Sequence, residues 1–174
     1  MGLDESINFV LRMKKFEIEL KWASAFTAIS IAWVYFEKFL GYHDEFVSSQ
    51  AIFSFWLMLP QAFIYIVSIY QKREKYYGGE ITWQKAFISG VVLSAIIAGL
   101  SPAAVYIMLE FVSPEFLSNI VEVRAEQGVP REGLEQIYNL NSMVTQAIFN
   151  NLATGVFFAA IIALFLKNKK TTEV

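Results

Sequence analysis

The chain contains no cysteine and a single histidine, His43. It therefore has no disulfide framework and no Cys-rich metal centre. His43 stands beside Asp44 and Glu45 in a short loop, without the His-Glu-x-x-His spacing of a zinc hydrolase, and is expected to be part of a solvated acidic turn rather than a metal site. With one histidine, no Ser-His pair is expected inside the apolar segments, so a serine hydrolase would lack its base. Charge is also scarce. Only 17% of residues are Asp, Glu, Lys or Arg and the net charge is -2, which excludes a nucleic-acid binder and falls below the roughly 25% usual in soluble domains. Four prolines and nine glycines in 174 residues, with 16% aromatics, exclude a disordered chain.

What is present is apolar: 56% of the residues are hydrophobic and the mean hydropathy is +0.45. Residues 51–70, 86–109 and 143–166 contain no charged side chain. Each run is long enough to cross a hydrocarbon core of about 30 Å as a helix. A fourth, 22–40, carries only Glu37 and Lys38, in its last turn, where both are expected to reach the headgroup level. The expected fold is all-α: a single membrane domain over 1–174 with four transmembrane helices in an antiparallel bundle. A soluble bundle would need polar faces, and Val91 to Leu100 offers only Ser94. A cleaved signal peptide is not expected, because the first apolar segment is too long. Met1, Gly2 and Ser6 match a crude myristoylation pattern, which would be a chance match were the chain bacterial.

Lys and Arg divide by side. Arg12, Lys14, Lys15 and Lys21 precede the first span; Lys72, Arg73, Lys75 and Lys85 lie between the second and third; Lys167, Lys169 and Lys170 follow the fourth. These are 11 of the 14, and the positive-inside rule places both termini in the cytoplasm. The loop 110–142, on the other side, is expected to hold an amphipathic helix capped by Ser113, with Pro114 in its first turn, running to about Gln127. A second short helix from about Arg131 is expected to run into the fourth span.

The stretch Tyr76, Tyr77, Gly78, Gly79, Glu80, Ile81, Thr82, Trp83, Gln84, Lys85, Ala86, Phe87 and then Gly90, together with Val112 to Phe116, resembles a bacterial membrane family called domain of unknown function 4199, common in Bacteroidetes. The resemblance extends from about Met13 to Lys170, and Met13 is an alternative start. It implies a four-helix inner-membrane protein and brings no established activity, cofactor or catalytic residue. In physical terms, Gly78 and Gly79 permit a turn, Thr82 can cap the next helix, and Trp83 with Lys85 can anchor it. The functional alternative makes Lys72, Arg73, Lys75 and Lys85 a cytoplasmic basic patch for anionic lipid or a partner.

Within the spans, Gly90, Ser94, Ala98 and Pro102 recur every four residues on the third helix, and Gly155, Ala159 and Ala163 on the fourth. Such stripes let two helices approach closely. Gln61, Ser101, Gln146, Asn150 and Asn151 are the neutral polar residues that would form a cleft binding a small solute or lipid headgroup, unless they serve only proline kinks and interhelical bonds. No ionisable group is expected at mid-membrane. The expected function is a non-enzymatic accessory or assembly subunit, without cofactors, acting through protein or lipid binding, its partners the bilayer and a membrane protein or second copy. The alternative is a small carrier or lipid-handling protein that uses the polar cleft.

Overall fold

In the computed structural model, backbone is described for residues 3–169 and side chains from residue 15 onward. Met1, Gly2, the side chains of Ser6, Arg12, Met13 and Lys14, and Lys170, which enter the expectations above, lie outside the described residues. Every element among the described residues is helical. Helix α1 (Leu3–Phe39) is followed by α2 (Gln50–Ser54), α3 (Met58–Gln71), α4 (Trp83–Ile107), α5 (Phe116–Glu126), α6 (Arg131–Ile137) and α7 (Leu140–Leu166). Short 3-10 turns at Val47–Ser49 and Phe55–Leu57 join α2 to its neighbours, and π turns at Lys72–Tyr76 and Met108–Val112 extend α3 and α4.

Three of these helical runs, Val47–Tyr76, Trp83–Val112 and Leu140–Leu166, are long and apolar enough to cross a membrane. The first two exceed their charge-free windows at both ends and the third only at its start, because π turns and polar residues continue the helix. Helix α1 is the longest at 37 residues but less apolar. Its inward stripe runs Glu19, Ala23, Phe26, Ser30, Trp33, Glu37, at alternating steps of four and three, so its two ends carry acids.

The most extensive packing is between α4 and α7, with α1 lying against α4 and α3, and α3 also against α7. Small residues explain the close seam. A Cβ added at Gly90 would collide with the Ala159 methyl and lie 3.1 Å from Ala159 Cα, and one added at Gly155 would collide with Tyr65 Oη and Ser94 Oγ. Ser94, Ala98 and Ala159 are buried in the same region. Around the seam a core of Phe26, Ile64, Tyr65, Ile69, Leu93 and Ile97 closes. A smaller cluster of Val47, Met108, Leu109, Phe116 and Ile120 seats α5 on the end of α1 and α4.

The prolines act differently. Pro102 has no N–H for the Ala98 carbonyl, and the Ser101 hydroxyl donates to that carbonyl at 2.8 Å. Pro60 denies its bond to Trp56, and the chain there tightens into the 3-10 turn Phe55–Leu57, whereas Gln61 reaches across to α7 instead. Two further expectations need correction. Ser113 does not cap α5: its hydroxyl is buried without a partner among the described residues, and its backbone carbonyl accepts from Phe116 N. Nor does α6 run into α7. Tyr138 and Asn139 break the helix, and the Asn139 side chain caps α7 by accepting from Ser142 N at 3.0 Å.

Thr82 caps α4, accepting from Lys85 N at 3.4 Å, after a turn in which Gly78 and Gly79 take φ of 68° and 95°. The carboxy-terminal tail closes over this turn. Ile81 N donates to Asn168 Oδ1 at 2.9 Å, Asn168 Nδ2 donates to the Gly79 carbonyl at 2.7 Å, and Lys169 Nζ meets Glu80 at 2.8 Å. The hydrogen bond from Lys169 holds the Glu80 carboxyl below its ordinary 4.5 and the Lys169 ammonium above its ordinary 10.5. The ion pair is therefore complete between those two ordinary values. It is lost as pH falls through the lowered Glu80 value or rises through the raised Lys169 value. Hydrogen exchange at the Ile81 amide, corrected for its intrinsic pH dependence, is expected to quicken on the acid side in wild type. Glu80→Gln should abolish that acid-side transition, and a transition that persists in the variant would assign it to another group.

Candidate functional site

A cavity of about 440 Å³ lies between α1, α3, α4 and α7, below the end of the molecule that carries α5. Phe26, Ile97, Met58 and other apolar side chains supply most of its wall. Three amides face it: Gln61 from α3 and Asn150 and Asn151 from α7. Gln61 Nε2 donates to Thr154 Oγ1 at 3.3 Å, and Asn151 Nδ2 donates to the Ala147 carbonyl at 2.9 Å. Five hydroxyls complete the polar lining: Thr27, Ser30, Ser54, Ser101 and Thr154.

Of the expected cleft residues, Gln61, Ser101, Asn150 and Asn151 thus meet at one cavity. Gln146 does not join them. It lies one helical turn beyond, exposed, in a separate shallow depression with Gln136, Asn141 and Ser142. The register of α7 puts Gln146 and Asn150 on one face, but the cavity ends before that turn and α6 takes its place. Thr27, Ser30 and Ser54 were not among the expected residues. Their signal was present, since Ser30 lies on the same stripe of α1 as Phe26 and Trp33.

At the α5 end the cavity wall leads to a buried acid. Ser54 donates to the Glu37 carboxylate, which also accepts from Trp33 Nε1 at 2.9 Å and Gln50 Nε2 at 3.1 Å. His43 Nε2 stands 3.3 Å from the same group. Glu37 is 2% exposed and His43 fully buried. One residue along a helix is a rotation of about 100°, so Lys38 turns outward to Asp44, 2.8 Å away, while Glu37 turns in. These positions overturn one expectation. His43 is not in a solvated turn, because its ring packs against Phe116 of α5 at 5.0 Å and Asn119 Nδ2 holds its carbonyl at 2.9 Å.

The opposite end holds a second buried acid. Glu19, 1% exposed, accepts from Ser89 Oγ at 2.7 Å and pairs with Lys72 Nζ at 2.9 Å. Lys72 Nζ also donates to the Lys15 carbonyl and sits 4.3 Å from the Tyr76 ring centre. Lys72 is therefore not part of a basic surface. The expected patch reduces further: Arg73 pairs with Glu74 and donates to the Leu166 carbonyl, and Lys85 lies over the Tyr77 ring at 5.0 Å. Only Lys75 of the four is exposed and without such a contact among the described residues. Glu19, Glu37 and Lys72 are thus all buried, and none of them lies within the charge-free runs 51–70, 86–109 and 143–166. Among the described residues no cluster of three His, Asp or Glu side chains is arranged to hold a metal.

The fold and site define an all-helical protein with segments of membrane-crossing length, packed around a mostly apolar cavity that carries a few polar groups. Residues 21–168 match the family described as "Protein of unknown function (DUF4199)", and the chain belongs to that family. No curated protein and no solved structure matches it.

Proposed function

We propose that this is a bacterial inner-membrane protein with four transmembrane spans and both termini cytoplasmic, which acts by binding rather than by catalysis. Its ligand is a small amphipathic molecule held in the cavity between α1, α3, α4 and α7. One observation carries this reading: four neutral polar residues distant in sequence, Gln61, Ser101, Asn150 and Asn151, face one cavity of about 440 Å³ inside apolar helices. Ligand cavities are of this size and character, mostly apolar with a few placed polar groups.

Supporting the fourth span, residues 22–36 carry no charge, and the acids that flank them, Glu19 and Glu37, are each bonded to other helices or loops. The step of 18 residues from Glu19 to Glu37 rises about 27 Å, close to a hydrocarbon core. The division of Lys and Arg supports the orientation. The lining hydroxyls of Thr27, Ser30, Ser101 and Thr154 bond to backbone carbonyls rather than to a base, an arrangement that suits recognition better than bond cleavage. Ser54 alone meets a carboxylate, that of Glu37.

Native mass spectrometry of the protein extracted from its own membrane tests the reading. Wild type is expected to retain a lipid-sized adduct that Asn150→Leu with Asn151→Leu loses while remaining folded. An adduct retained by the variant would place the ligand elsewhere. Retained adduct with loss of a co-purifying protein would favour an accessory or assembly subunit.

A further inference from the structure

The directions of the hydrogen bonds around the cavity restrict what its ligand can be. A carbonyl oxygen only accepts, so each hydroxyl that meets one must donate its single proton there. Thr27 donates to the Ala23 carbonyl at 3.0 Å, Ser30 to Phe26 at 2.9 Å and Ser101 to Ala98 at 2.8 Å. Thr154 donates to Asn150 at 2.6 Å, and Ser54 to Glu37. All five wall hydroxyls have thus committed their protons to the protein. Thr154 and Ser54 also accept, from Gln61 and Gln50. Thr27, Ser30 and Ser101 are left with lone pairs only, so the α1 and α4 wall accepts and does not donate.

The facing wall is less one-sided. The amides of Gln61 and Asn151 each use one N–H inside the protein and keep an oxygen and a second N–H. A head that both donates and accepts can therefore bond to both walls. A head that only accepts would set oxygen against oxygen on the α1 and α4 side. No Lys, Arg or His lines the cavity to pair with an anionic head.

We propose that the cavity selects an uncharged amphiphile whose head donates a hydrogen bond, an alcohol or a primary or secondary amide on an apolar tail, over an ether, ester or carboxylate of the same length. This rests on the binding reading above and names its ligand class.

The test uses the full chain in lipid nanodiscs with a photoreactive diazirine analogue of decanol, the labelled residues being mapped by mass spectrometry. Labelling is expected at residues of the cavity. Decanol should compete about tenfold better than its isomer nonyl methyl ether, the equivalent of one good hydrogen bond. Decanoate should compete least. Thr27→Val, Ser30→Ala and Ser101→Ala should each reduce the preference for decanol, and the three together should erase it, without weakening competition by the ether. Cavity labelling with equal competition by alcohol and ether would overturn the donor rule and leave the binding site standing. A preference that survives all three substitutions would also overturn it. Labelling that misses the cavity altogether would overturn the binding reading and the donor rule with it.

Discussion

Replacing Lys72 by methionine is expected to destabilise the protein by about 3–5 kcal/mol, the cost of leaving one member of a buried ion pair without its partner. Lys72 is 3% exposed and Glu19 1% exposed, so water cannot take over the lost contact. Among the described residues only Ser89 would remain on the carboxylate, and the Lys15 carbonyl would keep only its helical backbone donor. Adding Glu19→Gln to Lys72→Met should restore much of the loss, because an amide costs far less to bury than an unpaired carboxylate. The midpoint of thermal unfolding in mild detergent, read for wild type, both single variants and the double variant, gives the coupling. A single-variant cost below about 1 kcal/mol, the range of exposed pairs, would show that the pair is open to solvent.

Gly155→Ala is expected to have the second largest effect. The new methyl would occupy the space of Tyr65 Oη and Ser94 Oγ, and Ser94 Cβ would lie only 2.8 Å away. Those two hydroxyls bond to each other at 2.8 Å, so the substitution breaks a buried hydrogen bond and wedges α4 from α7 together. Overpacking of this kind costs about 1–3 kcal/mol, and the lost bond adds about 1 kcal/mol. Gly99 supplies the internal control. A Cβ there meets nothing within 4 Å, so Gly99→Ala should leave stability unchanged or raise it by about 0.5–1 kcal/mol through helix propensity. Equal effects at the two positions would mean that the seam is not closed as described.

Both variants bear on how much was legible in advance. The four-residue repeat of small side chains could be read from the chain, because a helix returns to the same face about every 3.6 residues and a packing seam must be small on both sides. The Lys72–Glu19 pair could not. Lys72 stood among Arg73, Lys75 and Lys85 as one basic residue of four, and only the packing of α3 on α1 chose it for burial. The cavity was partly legible for a similar reason. Gln61, Ser101, Asn150 and Asn151 stood out as polar residues in apolar runs, whereas Thr27, Ser30 and Ser54 seemed unremarkable because small hydroxyls are common in such helices, bonded to their own turn.

The chain by itself determined that this protein is helical, three runs that are long and apolar enough to cross a membrane, where α4 is capped by Thr82, and to which family it belongs. Those properties follow from local chemistry, namely hydropathy over about 20 residues, a capping hydroxyl, glycines at a turn and a motif in order. Tertiary structure decided the rotation of each helix about its axis and the level at which its neighbours end. Periodicity fixes the angles between residues on one helix but not which angle faces the core. Contact with the other helices sets that, turning Glu19 and Glu37 of α1 inward, leaving Gln146 of α7 outside and enclosing His43 beneath α5.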